Sequence, residues 1–221
     1  MSSKKPILTL ILAALLLAAG ASEGASDSRE VVSAGEILAK IEQGELVEYE
    51  GVIVEGDWNL SELGLPTEHV DRTAYESRVL GLAEETWSVE SAINITNSEI
   101  RGEVTSSNTI FQKPIDFGNT EFSGRAHFRG ARFGDDADFE GAEFGGAANF
   151  DYVRFGGNAS FERAIFNEAA NFDRAQFDEA ANFKRALFNG KDANFRYAQF
   201  GGDASFEWAL SSGGDASFKY A

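Results

Sequence analysis

The sequence predicts an all-β solenoid, in which the chain coils repeatedly around one long core. Three observations predict it: evenly spaced phenylalanines, turn-forming residues between them, and an alanine two positions before most of them. All 19 phenylalanines lie after residue 110, and up to Phe188 they are separated alternately by six and five residues. The resulting 11-residue period is an internal repeat, and such repeats are typical of solenoids.

Neither a helix nor a flat strand fits this spacing. At about 100° per residue, a five-residue step along a helix separates side chains by about 140°, so the phenylalanines would share no face. In a flat strand the same step moves a side chain to the opposite face. A chain that turns a corner in every unit returns each phenylalanine to the interior, where the small alanine fits beside the ring.

The gaps between the phenylalanines contain residues that suit corners. Long gaps, such as FGGAANF and FNEAANF, open with Gly, Asn or Asp, which tolerate a left-handed backbone conformation. Short gaps, such as FDRAQF, lack the extra turn residue. We therefore expect the left-handed residues to lie in the long gaps.

The repeated Ala-(Asn/Asp/Ser)-Phe-x-x pattern runs through 111–221 and resembles the pentapeptide-repeat family. The resemblance implies a right-handed, four-sided (quadrilateral) parallel β-helix with 22 residues in each coil. Two features depart from the family pattern: the central residue is phenylalanine rather than mostly leucine, and every second unit has an extra residue. The predicted structural core ladder consists of Phe128, Phe133, Phe139, Phe144, Phe150, Phe155, Phe161, Phe166, Phe172, Phe177, Phe183 and Phe188.

Residues 47–110 extend this register with other side chains in place of phenylalanine. We interpret them as degenerate first coils, at 47–65 and 93–110, with an insertion at 66–92 that is partly helical. The centres that keep steps of five and six are Tyr49, Val54, Leu60 and Leu65, and then Ile95, Ile100 and Ser106.

Residues 22–46 are predicted to form a linker and a short N-terminal capping helix over 34–43. Ser33 and Glu36 have the spacing of a capping box, and Gly44 is suited to the end of the helix. A helix here would cover the first coil, as the ends of solenoids require.

Residues 1–21 have the pattern of a secretory signal peptide. Lys4 and Lys5 precede an apolar run over 7–19, and a small-residue site predicts cleavage after Ala21. The run is shorter than the roughly 20 residues of a spanning helix, so we expect no stable membrane span after cleavage. The mature protein is therefore predicted to be secreted or at the cell surface. The alternative is membrane anchoring by an uncleaved N-terminal segment.

The sequence contains no recognisable catalytic or metal-binding pattern. There is no cysteine, and His69 and His127 have no partner histidine at metal-ligand spacing. Phosphate-binding loops, nucleophile elbows and zinc-protease motifs are also missing from the sequence. We therefore expect neither enzymatic activity nor a cofactor or metal.

Net charge bears on the class of partner. The formal net charge is −17, with 19 acidic and 5 basic residues in 22–110 but 17 acidic and 12 basic residues in 111–221. Such acidity disfavours nucleic acid as a partner. The leading hypothesis is an exported, non-enzymatic scaffold that binds a protein or a cell-envelope component.

The resemblance supplies an alternative function. Some pentapeptide-repeat proteins mimic DNA and inhibit or protect DNA gyrase in the cytoplasm. The signal pattern and the arginines within the repeat oppose this alternative, because mimicry requires a continuous acidic face.

The last repeats predict self-association. The sequence shows neither a capping helix nor a charged, proline-bearing segment after Phe218. Unpaired backbone groups and apolar rings at the end of a solenoid favour pairing with another chain. We therefore expect a tail-to-tail homodimer through the last coil, around Phe206, Trp208, Leu210 and Phe218. The alternative is a truncated gene product whose missing continuation would supply the cap.

Overall fold

The chain forms a four-sided parallel β-helix with few helices. The computed structural model describes residues 27–221, in which four sheets make the four sides of the coil. This confirms the predicted fold class. The predicted signal peptide, at 1–21, lies outside the described residues.

The N-terminal part provides a cap, an insertion and the first coil. Strand β1 (Val31–Ser33) leads directly into helix α1 (Ala34–Glu42). The first coil contains β2 (Val47–Glu50), β3 (Ile53–Glu55) and β4 (Trp58–Asn59), and a 3₁₀ turn (Leu60–Glu62) follows. The insertion contains β5 (Thr67–His69) and helix α2 (Ala74–Arg78), after which the coil resumes with β6 (Glu85–Val89).

The later coils repeat four short strands each. The second and third coils are β7 (Ile93–Thr96), β8 (Glu99–Ile100), β9 (Val104–Thr105), β10 (Thr109–Phe111), β11 (Ile115–Asp116), β12 (Glu121–Phe122), β13 (Ala126–His127) and β14 (Arg132–Phe133). The next two are β15 (Ala137–Asp138), β16 (Glu143–Phe144), β17 (Ala148–Asn149), β18 (Arg154–Phe155), β19 (Ala159–Ser160), β20 (Ile165–Phe166), β21 (Ala170–Asn171) and β22 (Gln176–Phe177). The last are β23 (Ala181–Asn182), β24 (Leu187–Phe188), β25 (Asp192–Asn194), β26 (Gln199–Phe200), β27 (Ala204–Ser205), β28 (Leu210–Ser211) and β29 (Asp215–Ser217).

Strands of successive coils pair in parallel and form four faces, which we number in chain order. Face 1 contains β2, β7, β11, β15, β19, β23 and β27, and face 2 contains β1, β3, β8, β12, β16, β20, β24 and β28. Face 3 contains β4, β9, β13, β17, β21, β25 and β29, and face 4 contains β5, β6, β10, β14, β18, β22 and β26. Because the chain visits the faces in order, face 2 lies opposite face 4.

Phenylalanine rings stack in columns along the core. Phe172 lies between Phe150 and Phe195, at centroid distances of 4.9 and 4.8 Å and with ring planes within 4° of parallel. Rings of adjacent columns meet edge to face, as Phe172 and Phe161 do at 5.3 Å and 85°. Both arrangements are favourable for aromatic pairs. The 22-residue coil therefore brings phenylalanine rings of successive coils into register. Burial of each ring stabilises the folded state by roughly 1.5–3 kcal/mol.

The left-handed residues lie in the short gaps, not in the long gaps where we expected them. Tyr152 and Arg163, for example, have φ angles of 56° and 59°. Each is the third residue of a β-turn. In the turn that contains Arg163, Ala164 N donates a hydrogen bond to Phe161 O at 3.1 Å. A positive φ at this position is the requirement of a type II turn. Turn geometry therefore overrides the usual preference for Gly or Asn.

The glycines of the long gaps serve close approach between coils. A Cβ atom on Gly146 would lie 2.7 Å from the carbonyl oxygen of Gly124 in the preceding coil. Gly146 is not among the residues with a positive φ. At Gly146 glycine therefore serves through its missing side chain, whereas we had attributed the glycines of the long gaps to left-handed backbone.

Helix α1 covers the N-terminal end of the core, as predicted. It buries Ala34, Ile37 and Ile41 against the first coil. Ser33 caps the helix by accepting a hydrogen bond from Gly35 N at 3.1 Å. The predicted capping box is incomplete, because the Glu36 carboxylate instead accepts the Tyr49 hydroxyl at 2.7 Å. Gly44 follows the helix at a φ of 69°.

The insertion interrupts the first coil before its fourth side, not after it as we expected. Strand β6 falls within the predicted insertion of 66–92, yet it pairs in parallel with β10 on face 4. Val89 is thereby in register with Phe111, at the position predicted for Leu65. Strand β5 folds back on β6 as an antiparallel neighbour. The insertion therefore lies against face 4.

Within 27–221, no helix has the length and apolarity needed to cross a membrane.

Candidate interaction surfaces

The residues of the predicted core ladder all point into the β-helix. From Phe128 to Phe188 they are at most 4% exposed. They are therefore structural and unavailable to a partner. Binding depends on the side chains that alternate with them along the strands, which face outward.

The outward side chains of face 2 change from acidic to apolar along its length. Its outward positions carry Glu121 and Glu143 in the middle coils and then Ile165, Leu187 and Leu210 in successive pairing register. Leu210 is 61% exposed, and Ile165 and Leu187 are half-buried. The acidic half of this face thus ends at an apolar stripe.

The corner next to this stripe adds a large aromatic side chain. Trp208 is 72% exposed and has a φ of 62° at its corner. Its indole N–H donates to the Glu207 carboxylate at 2.9 Å. Hydrogen bonds from the Lys184 ammonium, and secondarily from this indole, lower the pKa of Glu207. The Glu207 carboxylate therefore stays charged and holds the indole by this hydrogen bond. We call Ile165, Leu187, Trp208 and Leu210 the apolar patch.

The four residues predicted for self-association do not share one surface. Phe206 and Phe218 face inward, stacked on Phe183 and Phe195 at 4.9 Å. Trp208 and Leu210 face outward as part of the apolar patch. The sequence analysis missed Ile165 and Leu187. Both residues directly precede a phenylalanine, at Phe166 and Phe188. At the equivalent position of other repeats the sequence has Glu, Arg or Gln, so an apolar residue there was the available signal.

A second corner carries a column of aromatic and cationic side chains. The Arg174 guanidinium lies 5.2 Å from the ring of Tyr152 and 4.7 Å from that of Tyr197. Tyr197 in turn stacks on Tyr220 at 4.9 Å. Cation–π contacts of this kind stabilise exposed corners by roughly 0.5–1 kcal/mol.

The two histidines contact separate carboxylates on the surface. His69 Nδ1 lies 3.1 Å from Glu85 Oε1, and His127 Nε2 lies 2.9 Å from Glu103 Oε1. In the part of the chain that the structure describes, no three His, Cys, Asp or Glu side chains are grouped as metal ligands.

The faces of the β-helix differ in the charge of their outward side chains. Face 1 carries Asp116 and Asp138 outward, whereas face 4 carries Arg132 and Arg154. Face 3 has mainly amides at its outward positions, and Asn194 Nδ2 donates to Asn171 Oδ1 at 3.0 Å. Within residues 27–221, therefore, no face of the β-helix is acidic along its whole length.

The comparisons with known proteins agree with this architecture. No curated protein and no solved structure matches the chain. The family model for pentapeptide repeats (9 copies) matches residues 95–143, 129–176 and 161–209, which together span more than half of the chain. The chain therefore belongs to the pentapeptide-repeat family.

Proposed function

We propose that this protein is an exported, non-catalytic scaffold whose binding surface is the apolar patch on face 2. The observation that carries the proposal is the exposure of Trp208 and Leu210, at 72% and 61%, in line with Leu187 and Ile165. Exposed apolar side chains that form a continuous strip are typical of protein interaction sites. Membership of a repeat family supports the scaffold role, because such folds offer rigid, extended surfaces.

The occupant we propose is a second copy of this chain, packed antiparallel with face 2 against face 2. A two-fold axis through Leu187 places Ile165 against Leu210 of the second copy, because these residues lie one coil to either side. The same axis brings Arg163 toward Trp208, a favourable cation–π combination. Parallel packing would instead bring the acidic halves of face 2 together. Two-fold interfaces pair one patch with itself, as this arrangement does.

This interface differs from the end-to-end dimer expected from sequence. It keeps Trp208 and Leu210 and leaves out Phe206 and Phe218, which belong to the core stacks. The mixture of acidic and basic faces favours a scaffold over DNA mimicry, which needs a continuous acidic surface.

Sedimentation velocity of the mature chain tests the proposal. We expect a dimer at micromolar concentration, and Leu187→Glu to dissociate it by placing two carboxylates at the two-fold axis. The matched control is Gln199→Glu, which adds the same charge on face 4 and leaves the dimer intact. A wild-type monomer at high micromolar concentration, or a dimer that persists in folded Leu187→Glu, would refute the homodimer.

Export is tested separately by the intact mass of the protein from its native host. We expect a chain that begins near Ser22, because the predicted cleavage follows Ala21. A species that retains Met1 would contradict cleavage, and its presence in the membrane fraction would favour the uncleaved anchor.

A further inference from the structure

A cleft of about 200 Å³ lies between the insertion and face 4, opposite the proposed dimer interface. At roughly 30 Å³ per water molecule, it has room for about seven waters. We call it the arginine cleft, because four guanidinium groups line it. Its lining residues are Asp71, Arg72, Glu76, Arg132, Tyr152, Arg154, Arg174 and Gln176.

Two features of the fold bring the arginines together. Arg132 and Arg154 are directly paired on β14 and β18, so the repeat places two like charges side by side. Arg174 comes from the corner after β21, and Arg72 comes from the insertion. Arg72 Nη2 donates to Gly130 O at 3.1 Å, which holds the insertion against the corner of the coil.

Two hydrogen-bond donors that line the cleft are buried without a partner. They are Arg72 Nε and the Tyr152 hydroxyl, for which the described residues provide no acceptor. A buried donor left unpaired destabilises the folded state. These two donors are therefore available to an acceptor-rich ligand in the cleft.

Two of the four arginines form no ion pair with a carboxylate, although the charge of Glu76 acts on both from a greater distance. Arg154 pairs with Asp178 at 2.7 Å and Arg174 with Asp173 at 2.8 Å. The ion pairs found among residues 27–221 include neither Arg72 nor Arg132. Desolvation first, and then a neighbouring arginine, lowers the pKa of each of these two guanidinium groups.

The two acidic residues that line the cleft are engaged elsewhere or face solvent. Glu76 Oε2 accepts from Thr73 N and Thr73 Oγ1 at 2.7 and 2.8 Å, in the capping box of helix α2. These bonds keep the pKa of Glu76 below its ordinary value. The Asp71 side chain is fully exposed and lies 3.6 Å from His69 Nε2.

We propose that the arginine cleft binds a phosphoryl group, either as free phosphate or as a phosphomonoester. Guanidinium forks match the oxygen geometry of phosphate and donate two hydrogen bonds at once. Each arginine has five N–H donors, so Arg154 and Arg174 keep donors for the ligand while they pair with aspartates. The Tyr152 hydroxyl supplies a further donor. A bound dianion would also relieve the repulsion between Arg132 and Arg154.

Isothermal titration calorimetry at low ionic strength tests the site with inorganic phosphate and with glycerol 1-phosphate as probes. We expect saturable binding that Arg132→Gln weakens by about tenfold or more, as the loss of a charge-assisted pair does. Tyr152→Phe removes only the hydroxyl and should weaken binding severalfold. Arg185→Gln, at an exposed corner away from the cleft, is the matched control and should bind like wild type. Thermal melts establish that each variant is folded.

The two probes distinguish the sources of the phosphoryl group. Binding of both supports the free ion as a ligand, and binding of glycerol 1-phosphate alone supports a phosphomonoester on a larger carrier. The proposal is overturned if neither probe saturates wild type, or if folded Arg132→Gln and Tyr152→Phe bind as tightly as Arg185→Gln.

Discussion

Phe177 lies directly above Phe155 in one phenylalanine column, with ring centroids 4.9 Å apart and planes 11° from parallel. Its neighbour on β22, Gln176, points the other way and is exposed on face 4. The two residues of one short strand thus separate the two roles of this fold: one side chain builds the core, and the other is offered to solvent and to ligands.

Truncation of the core ring should be far more costly than truncation of its neighbour. We expect Phe177→Ala to lower the free energy of unfolding by about 3–5 kcal/mol, because it removes the stacking contacts with Phe155 and Phe200 and leaves a cavity. Gln176→Ala should change it by no more than about 0.5 kcal/mol. Denaturant melts measure both. Similar losses at the two sites would contradict the assignment of inward and outward positions.

A methyl group in a long gap should strain the stacking of coils. A Cβ atom on Gly190 would lie 2.1 Å from the carbonyl oxygen of Glu168, its counterpart one coil earlier. We expect Gly190→Ala to cost about 1–3 kcal/mol through overpacking, since the neighbouring atoms are backbone. Glu168→Ala, at the equivalent position, should be nearly neutral. Thermal melts that show no loss for Gly190→Ala would mean that the coils separate more readily than this contact implies.

Relief of a left-handed corner should stabilise the protein. Arg185 is exposed and has a φ of 57°, whereas Asn119 occupies the same corner three coils earlier at a φ of 52°. Because Asn tolerates this conformation better than Arg, we expect Arg185→Asn to raise the free energy of unfolding by about 0.5–1 kcal/mol. Arg185→Val should lower it, since a β-branched residue fits poorly there. If the two variants have the same stability, the corner is not left-handed in solution.

One aspartate should make stability depend on pH. Asp138 is half-buried and accepts a hydrogen bond from Glu140 N at 2.8 Å, a role that Asn182 fills for Lys184 N two coils later. Burial, and secondarily the charge of Asp116, raise the pKa of Asp138. Its charge therefore destabilises the folded state at neutral pH. This penalty fades as the pH falls through the raised pKa toward the ordinary aspartate pKa of about 3.9.

Asp138→Asn should accordingly stabilise the protein at pH 7 and lose that advantage in acid. The reverse substitution, Asn182→Asp, should destabilise it over the same range of pH. Melting temperatures measured from pH 3 to pH 7 report both effects. An advantage of Asp138→Asn that does not change with pH would show that the Asp138 charge is not its cause.

The repeat itself determined the fold. A period of 11 residues with five- and six-residue steps fits neither a helix nor a flat strand, so only a chain that turns corners keeps Phe128 through Phe188 inside. The capping helix could also be predicted, because Ser33, an apolar run and Gly44 are local signals. These features depend on residues close in sequence, and local geometry is what a pattern encodes.

Tertiary structure decided whatever depends on contacts between distant segments. Strand β6 belongs to the first coil because it pairs with β10 of the next coil on face 4, which no local spacing indicates. Glu36 contacts Tyr49 instead of completing a capping box, because the packed first coil places a hydroxyl within reach. Gly146 meets the backbone of Gly124 one coil earlier, 22 residues away, where a side chain would clash.

Both surfaces we propose for binding also required the coil register. The sequence shows Ile165, Leu187 and Leu210 as isolated apolar residues, and parallel pairing joins them into one stripe. Arg132 and Arg154 become neighbours through the same pairing, and docking of the insertion adds Arg72. Side chains 22 residues or more apart meet only when successive coils stack. For this reason the sequence determined the core of this protein, whereas its tertiary structure decided what its surface presents to a ligand or partner.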